Sequence, residues 1–128
     1  MTTSTLARAA YVQASIATAD PQRLLVMLCD RMVLDVQRAL ACQQAGEHLA
    51  AGEQLIHAQD IALELRSSLD PSGFEGGVQL AAIYEHLFAE LVRANVRRDP
   101  EITQHCASLA TQIADTWRQA ALALALPA

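Results

Sequence analysis

Apolar residues return every three or four positions through most of this chain, and the rhythm breaks at a few well-marked places. Leu24, Leu28, Met32, Val36 and Leu40 form one stripe, widened by Leu25, Val33 and Ala39, and predict a helix over about 21–45. Leu55, Ala58, Ala62, Leu65 and Leu69, with Ile61 alongside, predict a second over about 49–69. A third, about 78–96, turns Leu80, Tyr84, Leu87, Leu91 and Ala94 inward, flanked by Ile83 and Phe88. A fourth, about 100–125, carries Ile102, Cys106, Leu109, Ile113, Trp117 and Leu124 on one side. No period-two alternation competes with these stripes. Gly46 is a natural C-terminal stop, and the stretch from Asp70 to Gly77, with one Pro and three Gly, cannot continue a helix. Asp20-Pro21 and Asp99-Pro100 are paired start signals: the carboxylate accepts from the first turn, and Pro fits where no donor is needed. Similar lengths and short connections predict an all-α protein, an antiparallel up-down four-helix bundle over residues 20–128.

Residues 1–19 have no obvious place in such a bundle. Leu6 to Ile16 is amphipathic and is cut off from the first long helix by Asp20-Pro21. For Tyr11, Ile16, Thr18 and Pro21 two readings stand: a removable helical or extended lid with its hinge, or an ordinary staple and cap on the first turn.

Composition sharpens the picture. Hydrophobic residues make up 52% of the 128 and charged residues 18%, below the roughly 25% charged of an average domain. Aromatics are only 4%, so the apolar content is mostly Ala, Leu, Ile and Val, suited to close helix packing. The apolar surface also exceeds what one core stripe needs, notably at Val26, Met27, Val33 and Leu34 on the first helix and Ile56 and Leu63 on the second. Net charge is −5 and all nine basic residues are Arg, which argues against nucleic acid as a partner. Cys29, Cys42 and Cys106 form no C-x-x-C pair and read as free thiols in a reducing compartment. The N-terminus lacks the charged-then-apolar order of a signal peptide, and no apolar run can span a bilayer. A cytoplasmic location is expected.

Catalytic chemistry is thin. His48, His57, His86 and His105 are scattered, and no repeated Glu-x-x-His supports a bundle metal site. His57 is the candidate for a phosphotransfer bundle, but Asp60 follows it and the chain has no Lys to steady a phosphate. Gly73 to Gly77 reads as a helix connection rather than a phosphate cradle, and Ser67 and Ser68 have no visible triad partners. No enzyme activity, metal or cofactor is expected.

Several ordered pieces carry a family resemblance. A Tyr stands ahead of Ile16-Ala17-Thr18-Ala19-Asp20-Pro21, followed by Leu24-Leu25-Val26-Met27-Leu28. Then come Ala58-Gln59-Asp60-Ile61, Glu64-Leu65 and Ser68-Leu69-Asp70, and later Gly76-Gly77, Ile83-Tyr84, Leu91, Ala94-Asn95, Asp99 and Trp117. In order and spacing, from Tyr11 to Trp117, the chain resembles the FliS family of flagellar export chaperones. It departs from the family at Cys29-Asp30-Arg31, where Tyr-Asp-Gly is usual. The resemblance implies a cytosolic chaperone that binds the C-terminal segment of flagellin, prevents early polymerisation and helps delivery to the flagellar type III export gate. It implies no catalysis and contact with the membrane only through the export apparatus; a monomer or weak homodimer is expected. It also favours the lid reading of Tyr11, Ile16, Thr18 and Pro21, and makes Met27, Val33, Leu34, Ile56 and Leu63 candidate client contacts. A His57 phosphotransfer domain and a purely oligomerising helical module are the alternatives.

Overall fold

The computed structural model describes residues 21–125, which form four helices joined by short turns. They are α1 (Pro21–Gln44), α2 (His48–Ser68), α3 (Gly77–Arg97) and α4 (Pro100–Ala125). The helix boundaries expected from the hydrophobic rhythm between residues 44 and 100 lie within one residue of these. The expected lid at residues 1–19, and with it Tyr11, Ile16 and Thr18, lies outside the described residues.

The helices form a square: α1 packs on α2 and α4, and α3 packs on the same two. Gln43 and Asp30 of α1 reach Thr103 and Arg118 of α4, in reversed order, so these two helices run antiparallel. Arg66 of α2 pairs with Glu85 of α3, while Gly52 lies against Asn95, which gives the same reversal. Small residues permit this closeness. Ala39, Ala58, Ala62, Ala94, Ala110 and Ala114 are all buried between the larger Met32, Leu55, Tyr84, Leu87 and Leu91.

The stripe of α1 is rotated from the one its leucines suggest. Cys29, Met32, Val36, Ala39 and Gln43 are buried, while Leu24, Leu28 and Leu40 are half-exposed at the edges. Asp35 is fully buried as well. Its carboxylate accepts from Arg31 Nε at 3.0 Å and contacts His57 Nδ1 of α2, so the charge enters the α1–α2 seam with partners.

The ends are built as their residue types require. Gly46 takes φ +76° after the last turn of α1. Asp99 Oδ1 accepts from the Glu101 N–H at 2.9 Å, which is the capping role its Asp-Pro sequence implies. In the α2–α3 connection, Asp70 Oδ1 accepts from the Ser72 N–H at 3.1 Å and the Ser72 hydroxyl at 2.7 Å. Gly77 then sits so close to this loop that a Cβ there would lie 2.2 Å from the Pro71 carbonyl oxygen. Arg98 closes α3 in the left-handed region, φ 51° and ψ 42°, where glycine is usual.

Two substitutions test these end structures by denaturant unfolding. Arg98→Gly removes left-handed strain and should raise stability by about 1 kcal/mol. Gly77→Ala drives a methyl into backbone and should cost about 1–3 kcal/mol; unchanged unfolding midpoints would contradict both assignments.

Candidate functional site

Two apolar hollows open on the described surface, and they share a rim. The larger, about 610 Å³, runs between α3 and α4 and is lined by Leu80 and Ile83 on one wall and Leu109, Ile113, Thr116, Trp117 and Ala120 on the other. Phe74 and Gly76 of the connecting loop close one end, and Gln112 supplies a polar edge. The second, about 490 Å³, opens at the same end of the bundle between α1 and α2. Pro21, Leu24, Leu25 and Leu28 line it with Leu65, Leu69 and again Phe74 and Trp117.

Why these walls stand outside the core follows from the helices. In α3 the buried line passes through Ala81, Tyr84, Leu87 and Leu91, which leaves Ile83 beside it, 42% exposed. In α4 small Ala107, Ala110 and Ala114 occupy much of the core line, so Leu109 and Trp117 remain half-buried at its margin. Phe74, held out by the turn around Asp70, is 47% exposed and stands between the two hollows.

Trp117 is fixed rather than loose. Its Nε1–H donates to the Tyr84 hydroxyl at 2.9 Å, which orients the indole between both hollows and satisfies a buried phenol. Burial pushes Tyr84 up to about 12, opposed by the Trp117 bond and assisted by Cys29. Burial likewise pushes the Cys29 and Cys106 thiols up to about 12, with Asp30 and Glu90 respectively adding to it. Nothing here activates a nucleophile at neutral pH.

Of the residues expected to contact a client, Pro21 lines the second hollow. Met27 and Leu34 stand exposed on the outer side of α1, and Val33 is half-buried against the core. Ile56 and Leu63, seven residues apart, are 52% and 47% exposed along α2. None of these five lines either hollow. Phe74, Leu80, Ile83, Leu109 and Trp117 form the walls instead; their apolar stripes were legible, but periodicity reports a face and not its depth.

Among the described residues no three His, Cys, Asp or Glu side chains converge as metal ligands, and no helix is long and apolar enough to cross a membrane. His57, the candidate phosphoryl acceptor, turns Nδ1 to the buried Asp35 carboxylate. An all-α bundle with joined, open, apolar grooves has the build of a binding protein for amphipathic segments. A family model described as flagellar protein FliS matches residues 3–124. The chain is 30% identical over 111 residues to the flagellar secretion chaperone FliS of Bacillus subtilis, covering 87% of this chain and 83% of that one. It is likewise 30% identical to the chaperones of that name from Salmonella typhimurium, over 84% and 82% of the two chains, and Escherichia coli, over 90% and 86%. The chain belongs to the FliS family.

The buried acids carry a pH prediction. Their folded-state values lie above the ordinary 9.0 of a thiol and 10.0 of a phenol, so the unfolded chain ionises first. Stability should therefore be full below about pH 9 and fall as pH rises toward about 12. Urea unfolding across that range checks the sign; stability that rises with pH would contradict the burial.

Proposed function

We propose that this chain is a cytosolic flagellar export chaperone whose client is the C-terminal segment of flagellin. The single observation that carries the reading is the pair of apolar hollows joined at Phe74 and Trp117 in a member of the FliS family. A segment that is unfolded as a monomer, and helical when packed, buries its apolar face in such a groove and offsets its ordering entropy by the area removed from water. Held there, it is kept from premature polymerisation until delivery to the type III export apparatus. Gln112 and Thr116 at the edge of the larger hollow suit the polar flank of a bound helix.

Met27, Leu34, Ile56 and Leu63 lie on outer faces of α1 and α2 and would serve a client that wraps beyond the hollows. Residues 1–19 act as a lid in this reading. They precede Pro21, which lines the second hollow, and this supports the lid reading. Covering the hollow in the absence of client limits aggregation through exposed apolar surface. The family's role calls for no catalysis, and binding suffices for every step assigned here.

Co-expression with flagellin from the same organism, followed by co-purification, tests the reading. Full-length flagellin should be retained, and flagellin lacking its C-terminal segment should not. Ile83→Glu places a charge on a groove wall with little core disturbance and should weaken client binding about 10–100-fold by calorimetry, the equivalent of about 1.4–3 kcal/mol. Equal retention of the truncated flagellin would refute the assignment. Deletion of residues 1–18 should raise client affinity or self-aggregation; no change in either would remove the lid from the proposal.

A further inference from the structure

We propose that His86 and His105 together bind a borderline divalent transition-metal ion such as Zn²⁺, tying α3 to α4. Their rings meet edge to face across the two helices, with centroids 5.9 Å apart and planes at 74°. Both side chains are exposed, so an ion reaches them without opening the bundle. With a Zn–N bond of about 2.1 Å and roughly 1.1 Å from nitrogen to ring centre, two imidazoles on one ion have centres no more than about 6.4 Å apart. The observed separation falls inside that limit, and the edge-to-face rings would have to turn about their side-chain torsions for one nitrogen of each to meet the ion. Imidazole nitrogen selects Zn²⁺, Ni²⁺ and Cu²⁺ over Mg²⁺ and Ca²⁺, which prefer oxygen.

The surroundings define what kind of site this is. His86 lies one turn from Ile83 and His105 one turn from Leu109, so the pair stands just beyond the α3–α4 hollow. Glu90, one turn along α3, is held by both oxygens to Arg93 at 3.0 Å. Cys106, next to His105, is buried and kept as a thiol by burial first and the Glu90 charge second. No third His, Cys, Asp or Glu converges on the pair among the described residues, so the remaining coordination positions fall to water. The site is a two-imidazole clamp between helices rather than a closed structural centre. It would hold together the two walls of the larger hollow. The inference stands on the ring pair alone and does not depend on the chaperone reading.

Zinc chloride titrated into the full chain, in a non-coordinating buffer with a non-thiol reductant, tests it by calorimetry and thermal melting. The expected result is one saturable site and a raised melting temperature. His86→Ala and His105→Ala should each abolish saturable binding, and His48→Ala and Cys42→Ala should each retain it. His86 and His105 are exposed, and circular dichroism of all four zinc-free variants verifies that they fold. Absence of saturable zinc binding to the unsubstituted chain would overturn the proposal, as would binding that survives substitution of both histidines.

Discussion

Everything in this bundle hangs on how one end of the square is closed. Gln43, in the last turn of α1, is buried where an apolar residue would be expected. Its Nε2 donates across the diagonal to the Ala94 carbonyl of α3 at 3.3 Å, and its Oε1 accepts the Thr103 hydroxyl of α4 at 2.6 Å. Thr103 also reaches back to the Asp99 carbonyl at 3.2 Å. Three helices are thus registered by one side chain whose polar atoms would be costly to leave unpaired. With that end fixed, alanines can hold the helices close along the middle. The opposite end, where the loop from Asp70 to Gly77 crosses, is left with more apolar wall than core, and that surplus is the pair of hollows.

Much of this was legible in the sequence because helices announce themselves by period and punctuation. The Asp99-Pro100 start, Gly46 and the glycine-rich loop marked the ends between helices to within a residue, and a short-loop bundle followed. The first helix was legible as a helix but not in its rotation. Counting leucines places Leu24, Leu28 and Leu40 at the centre, whereas Cys29, Asp35 and Gln43 are the buried members. Polar residues enter a core only when partners come to meet them, and those partners are on other helices. For Asp35 the decisive one is His57, and for Gln43 they are Ala94 and Thr103. A one-dimensional pattern contains no such pairings. The same limit hid the groove walls and the His86–His105 contact, since both arise from how α3 is set against α4.

The site differs from the enzyme clefts that perturbed side chains often mark. The displaced titrations of Cys29, Tyr84 and Cys106 move toward the neutral form because the groups are buried in the core, and they describe packing. Specificity in such a protein rests on shape and on the spacing of apolar anchors, with few fixed polar contacts. That suits a client class recognised by its amphipathic face more than by any single residue.

Trp117 is the only tryptophan in the chain, and it stands where the two hollows meet, pinned to Tyr84 by its indole N–H. Its emission therefore comes from one known place, half in water and half in the bundle. An occupant of either hollow must displace water from the indole or strain its bond to Tyr84. The molecule carries its own optical gauge of occupancy, with no label to attach and no second indole to blur the signal.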